Sequence, residues 1–236
     1  MTGWAVVTGA SGGLGAGFAK ELARQGANLI LVARSADKLE TLADELRARY
    51  RIQVETWPCD LVNRGARAVL AADLASREIH TLVNNAGFGS IGDFTDLPQE
   101  RISAEVELNV VALTDLTRTV LPGMKQRDRG AVINIASTAA FQPIPGFTTY
   151  AATKSYVLRL SIGLWAELHN TGVRVLAVCP GPTDTGFFSA AGNDQVMGHR
   201  RSVEQVVATS FKALRRHRPY VVDGVGNTIM AEATRL

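Results

Sequence analysis

Cysteine is scarce. Two in 236 residues cannot build a disulfide scaffold, and usage this low suits a reducing compartment. An excess of one charge is missing as well. The 25 Lys+Arg and 22 Asp+Glu leave a formal net charge of +3, which gives no reason to expect nucleic acid or an acidic surface as partner. Long apolar runs are also lacking. The uncharged stretch 131–153 contains Asn134, Gln142, Pro143, Pro145 and Gly146, so it cannot cross a bilayer as one apolar helix. The N-terminal Met-Thr-Gly-Trp-Ala-Val-Val-Thr-Gly lacks the basic-then-apolar order of a secretory signal. Low-complexity tracts do not occur, nor do repeats of roughly 20–50 residues. His80, His169, His199 and His217 are scattered, without metal-ligand spacing to cysteine or carboxylate, and are expected at surface or structural positions. A cytoplasmic protein is expected, with no metal, no membrane and no nucleic-acid partner.

What is present is enough for a packed core: 46 % of residues are hydrophobic and 20 % charged. No linker or composition shift divides the chain, so residues 1–236 are expected to form one domain. One theme repeats. A short aliphatic run is followed by a Gly- or Asn-containing turn and then an amphipathic stretch. Strands are expected over 4–8, 28–33, 53–58, 80–83, 131–136, 173–179 and 219–223. Helices are expected over 16–25, 35–49, 66–76, 99–125, 150–170 and 203–216. The second run, Asn-Leu-Ile-Leu-Val-Ala, is nearly all apolar, as a parallel strand covered on both faces should be. The alternation predicts an α/β single-domain Rossmann fold: a doubly wound, seven-stranded parallel sheet with helices on both faces.

Two motifs carry chemistry. Thr8-Gly9-Ala10-Ser11-Gly12-Gly13-Leu14-Gly15 joins the first strand to the first helix. Glycines permit a tight turn and close backbone approach to a pyrophosphate, and the helix N-terminus offers free N–H groups. No Gly-Lys-Ser/Thr ending follows, which argues against a P-loop. A dinucleotide fold usually places an acid about 20 residues on, to meet the ribose 2′-hydroxyl. Here that place holds Ala33-Arg34-Ser35, and an Arg fork suits a 2′-phosphate, which favours NADP(H) over NAD(H). The second motif is Tyr150-Ala151-Ala152-Thr153-Lys154. Positions four apart share a helix face, and an ammonium near the phenol lowers its pKa toward the range useful for acid–base catalysis.

Together with further pieces in fixed order, these motifs resemble the short-chain dehydrogenase/reductase family of the compact type. The pieces are TGASGGLG at 8–15, Asp60 after the third strand, NNAG at 84–87, Asn109, Ser137 thirteen positions before Tyr150, Lys154, and PGPTDT at 180–185. The resemblance runs from the first strand to about Gly224. It implies an oxidoreductase in which Tyr150 gives a proton to a carbonyl oxygen that Ser137 orients. Lys154 would hold the nicotinamide ribose and lower the Tyr150 pKa, and Asn109 would support a water behind Lys154. It implies cofactor contacts from Gly9, Ser11, Gly12, Gly13, Leu14, Gly15, Arg34 and Ser35. Asp60 and Leu61 would meet the adenine side, and Asn85, Ala86 and Gly87 the floor. Pro180, Gly181, Thr183 and Thr185 would border the carboxamide and phosphates.

Pockets in open α/β sheets lie beyond the strand C-termini. The segments there hold Phe88, Phe141, Ile144, Phe147, Phe187, Phe188 and Met197, so a mainly apolar ketone or aldehyde substrate is expected. A 3-oxoacyl-thioester reductase is the alternative, and a silent NADP(H)-binding sensor a third reading that retention of both Tyr150 and Lys154 disfavours. Family members commonly pair two long helices, here 99–125 and 150–170, so a homodimer or homotetramer is implied. The sequence ends at Leu236, soon after the last expected strand, where many of that family continue with more pocket or interface structure. Cys59 and Cys179 fall at strand ends on opposite halves of the sheet and are expected to stay unbonded. The run Arg215-Arg216-His217-Arg218 is expected to be a solvated helix end.

Overall fold

Apolar residues at consecutive positions of the inner strands require cover on both faces, and the chain supplies it. In the computed structural model, residues 3–192 and 200–233 are described. Strands β1 (Trp4–Thr8), β2 (Asn28–Ala33), β3 (Val54–Pro58), β4 (Ile79–Asn84), β5 (Gly130–Ile135), β6 (Val173–Cys179) and β7 (Tyr220–Val222) form one sheet. Its order is β3-β2-β1-β4-β5-β6-β7, and every pairing is parallel. The expected doubly wound, seven-stranded sheet is therefore present.

Side chains alternate across it. Ala5, Val7, Leu29 and Leu31 pack with Phe18, Leu22, Leu46 and Phe211. Those residues come from α1 (Gly13–Arg24), α2 (Ala36–Tyr50) and α8 (Val203–Arg215). Val6, Ile30, Val32 and Leu82 pack on the other face with Leu70, Leu74, Leu116 and Val120, from α3 (Arg64–Ala75) and α5 (Leu113–Gln126). Each such side chain, fully buried, contributes about 1.5–3 kcal/mol of transfer free energy. The remaining helices are α4 (Gln99–Val106), α6 (Thr148–Glu167), α7 (Phe187–Ala191) and α9 (Val225–Ala233).

Three features differ from the sequence expectation. The first helix starts at Gly13, inside the glycine motif. The helix expected over 99–125 is α4, then a π-helical turn over Glu107–Ala112, then α5. The short helices α7 and α9 were not expected. Cys59 and Cys179 are buried, and neither is in a disulfide. His80 is buried, whereas His169, His217 and the run Arg215–Arg218 are exposed. His199 lies outside the described residues.

Candidate active site

The strand order reverses direction at β1, which has β2 on one side and β4 on the other. A clasp of hydrogen bonds closes this switch point. Thr8 Oγ1 accepts from the Asn85 and Ala86 amides at 2.9 and 3.0 Å and donates to Val83 O at 3.3 Å. Asn85 Nδ2 returns to Thr8 O and Gly9 O at 3.0 and 3.2 Å. Glycine is required around this clasp. Gly9 has φ +64°, and a Cβ there would lie 2.7 Å from Asn85 Nδ2. A Cβ on Gly15 would overlap the Gly9 carbonyl. Gly15 thus sets how closely α1 approaches the turn.

The N-terminus of α1 has no side-chain cap and no acid in its first turn. A Cβ on Gly12 would meet nothing within 4 Å. The turn is therefore a backbone cradle at a helix N-terminus, open on the cleft side, which suits a phosphate group. Arg34, just past the end of β2, and Lys38, in the first turn of α2, stand on the same cleft, and neither forms an ion pair with a described residue. Asp60 lines the cleft while its Oδ1 accepts from the Val62 amide at 3.0 Å. Cradle, cations and polar floor fit a dinucleotide carrying an extra phosphate.

At the other end, Ser137 follows β5 and caps a 3₁₀ turn, accepting from the Ala139 amide at 3.1 Å. Tyr150 and Lys154 rise one helical turn apart on α6, both buried. Lys154 Nζ donates to Ile135 O at 2.8 Å. Burial pulls its pKa down to about 8, and Glu105 and Cys179 oppose that pull. Burial raises Tyr150 above the ordinary phenol range; Ser137 hydrogen bonding counteracts it, and Glu105 and Cys179 add to it. The net direction for Tyr150 is thus upward, opposite to the lowering expected from Lys154. The reason is placement: Nζ stands 5.5 Å from the ring centroid, over the ring, and desolvation dominates.

Asn109 sits on the π-helical turn and is 1 % exposed. Its Nδ2 donates to Phe88 O at 2.8 Å and to Thr153 Oγ1 at 3.1 Å, and its Oδ1 accepts from the Phe88 amide at 3.2 Å. The carboxamide therefore holds the backbone of the segment after NNAG. Thr183 Oγ1 donates to Gly181 O at 3.0 Å, and Thr185 Oγ1 accepts from the Phe187 amide at 3.3 Å. Gly181 has no room for a Cβ, because Asn227 of α9 packs on it.

One cleft of about 1090 Å³ brings these residues together. Gly9, Ser11, Gly12, Gly13, Leu14, Arg34, Ser35, Asp60, Leu61, Asn85, Ala86, Gly87, Ser137, Tyr150, Lys154, Pro180, Gly181, Thr183 and Thr185 all line it. Gly15 and Asn109 do not; they support it from behind. Phe147 stacks on Tyr150 with centroids 4.3 Å apart, and Phe187 tilts against the same ring at 5.2 Å. Phe88, Phe141, Ile144 and Phe188 complete an apolar wall, and Met197 lies outside the described residues. Sequence reasoning missed Lys38, Arg101 and Met230 on the lining. The apolar Ile229-Met230-Ala231 was the available signal for Met230; nothing local marked Arg101.

The fold and cleft define a dinucleotide-type α/β protein with a serine, a tyrosine and a lysine converging at one end. The chain belongs to the short chain dehydrogenase family, whose model matches residues 3–196. It is 36 % identical over 181 residues to the very-long-chain 3-oxoacyl-CoA reductase of Bos taurus, covering 75 % of this chain and 58 % of that one. The chain thus spans little more than half the length of that curated relative. Among solved structures, it is similar to a short-chain dehydrogenase from Sphingobium yanoikuyae in complex with NADPH. The TM-score is 0.93 at 34 % identity, covering 99 % of this chain and 92 % of that one. The bulky-bulky ketone specific alcohol dehydrogenase from Comamonas testosteroni matches at TM-score 0.86 and 31 % identity, over 99 % and 92 % of the two chains.

Proposed function

We propose that the chain is an NADP(H)-dependent oxidoreductase that interconverts a bulky, mainly apolar ketone or aldehyde and its alcohol. One observation carries the reading: Ser137, Tyr150 and Lys154 meet in the cleft that ends, at its far side, in the glycine cradle flanked by Arg34 and Lys38. The NADPH bound by the Sphingobium relative and the ketone specificity of the Comamonas relative support it. The nicotinamide supplies the hydride when bound. The chain supplies the rest. Ser137 fixes the carbonyl oxygen beside Tyr150, and the Tyr150 hydroxyl gives up its proton to that oxygen as the carbon becomes an alcohol. The Lys154 ammonium then favours the phenolate left behind. Asn109 holds the Phe88 peptide, and with it the floor formed by Gly87. Phe147 and Phe187 exclude water from the Tyr150 face.

The test is NADPH and NADH oxidation measured side by side over aromatic ketones, steroids, quinones and 3-oxoacyl thioesters. NADPH-dependent turnover of bulky apolar carbonyls is expected, and turnover confined to sugars or small polyols would refute it. Tyr150→Phe should lower turnover by about 10²–10⁴-fold with NADPH binding retained. The bovine relative's name favours a second reading, reduction of a long-chain 3-oxoacyl thioester, which the same panel separates. A cytoplasmic setting and a homodimer or homotetramer belong to the proposal. Partly exposed Val106 on α4 and Tyr156 on α6 support pairing through those helices.

A further inference from the structure

Behind the reacting end lies an acid that the proposed chemistry does not use. Glu105, in the last turn of α4, is 0 % exposed. No well-formed hydrogen bond reaches either carboxyl oxygen; the buried Ser90 hydroxyl and amide are the polar groups that face it. Burying a carboxyl with so little polar company is costly, so the position calls for an explanation.

The explanation lies across one strip of backbone. Asn109, one helical turn beyond Glu105, holds the Phe88 peptide. Arg101, one turn before it, donates from Nη2 to Gly89 O at 3.1 Å. Arg101 and Asn109, one turn either side of Glu105, thus both hold residues 87–90, and that segment also borders the reacting groups. A Cβ on Gly87 would lie 2.9 Å from Asn109 Oδ1 and 3.4 Å from Lys154 Nζ, and one on Gly89 would lie 2.9 Å from Tyr150 Cδ2. The helix that carries Glu105, α4, packs on α6, which carries Lys154. Lys154 itself lacks a counter-charge in contact; its bond is to the Ile135 carbonyl, and no described acid forms an ion pair with it.

We infer that Glu105 is the buried counter-charge of Lys154, a positioning residue that keeps the lysine an ammonium from the neighbouring helix α4. The kinetic consequence rests on the role proposed for Lys154; the electrostatic one does not.

The titratable and polar groups around Glu105 are Arg101 on its own helix and Lys154 and Tyr150 on α6, with Ser90 from the loop after β4. Cys179, from β6, acts on Tyr150 and Lys154. Burial raises the Glu105 carboxyl, while Ser90, Arg101 and Lys154 pull it back. Burial lowers Lys154, and Glu105 is the largest influence opposing that. Removing the carboxylate must therefore let Lys154 lose its proton at lower pH.

The test follows Lys154 by NMR of the full chain labelled at lysine Cε, with the Lys154→Met spectrum assigning the signal. A midpoint of about 8 is expected in the parent chain. Glu105→Gln should move it down by about one pH unit, the low end of what a nearby opposite charge supplies. Glu105→Asp should restore most of the shift. NADPH binding, followed by fluorescence against pH, should weaken at correspondingly lower pH in Glu105→Gln. An unchanged Lys154 midpoint in a folded Glu105→Gln protein would overturn the inference. If that variant does not fold, the Glu105 carboxyl signal of the parent chain decides: a carboxyl still protonated where Lys154 titrates overturns it, and an ionised one supports it. Failure of the parent chain to bind NADPH would refute the proposed function while leaving the Lys154 midpoints readable.

Discussion

Arg67 offers a measurable test of how the cofactor side and the catalytic side are joined. Its guanidinium is 2 % exposed and reaches three elements. Nη1 donates to Leu61 O at 2.6 Å, Nη2 to Glu107 Oε1 at 2.6 Å, and Nε to Asp115 Oδ2 at 2.9 Å. One side chain thus ties the loop after β3 to the π-helical turn and to α5. Arg67→Met keeps much of the aliphatic volume and removes all three bonds. Glu107 and Asp115 are 33 % and 50 % exposed, so they rehydrate on loss of their partner. Each such half-wet pair contributes about 1 kcal/mol or less. The Leu61 carbonyl loses a charge-assisted bond of about 1.5–3 kcal/mol. Relief of the guanidinium's own desolvation offsets part of that. The net loss comes to about 2 kcal/mol, or a fall in Tm of ~4–8 °C for a chain of this length. Thermal unfolding followed by circular dichroism reads it. The single-arm variants Glu107→Gln and Asp115→Asn should each cost less than about 1 kcal/mol. A Tm for Arg67→Met within about 1 °C of the parent would refute the reasoning, because desolvation would then cancel all three bonds.

Other outcomes are expected. Gly15→Ala drives a methyl into the Gly9 carbonyl and should destabilise by about 1–3 kcal/mol while weakening NADPH binding, read by melting and cofactor fluorescence. Gly89→Ala places a Cβ 2.5 Å from Phe147 Cε2 and should lower kcat by about tenfold or more with NADPH affinity nearly unchanged, since the Tyr150 stack must shift. Arg34→Asp should raise the KM for NADPH by about 10–100-fold and leave NADH almost untouched, if the guanidinium meets a 2′-phosphate. Equal losses with both nucleotides would reassign Arg34 to a general surface role.

The regular parts of the fold were legible because their signals are local. β2 and β6 fall over the expected residues: the stretch 29–33 is unbroken apolar after the stop at Gly26, and β6, interrupted only by Arg174, lies between Gly172 and Pro180. The glycine turn, Arg34 and the Tyr150/Lys154 pair were legible because each needs particular residue types at fixed spacing. Glu105 and Arg67 were not. A charged residue on an amphipathic helix looks solvated, and only tertiary packing shows that these two are buried. The direction of the Tyr150 shift was misjudged for a related reason: spacing sets the shared helix face, but burial is not written in it. Helix α9 is short and apolar, and its role emerges only where Asn227 covers Gly181.

The π-helical turn over Glu107–Ala112 has a consequence for how this helix can change over time. A normal α-helix advances about 100° per residue, so one residue gained or lost rotates everything on one side of it against the other. Here the upstream side buries Glu105, and the downstream side presents Leu116, Val120 and Met124 to the sheet. The widened turn is the joint between those two phases, with Asn109 on it. Substitutions along the rod are absorbed one at a time. A single-residue deletion in the joint would instead rotate the acid and Asn109 out of place while leaving the hydrophobic packing intact, giving a chain that folds but has lost the alignment of its catalytic end.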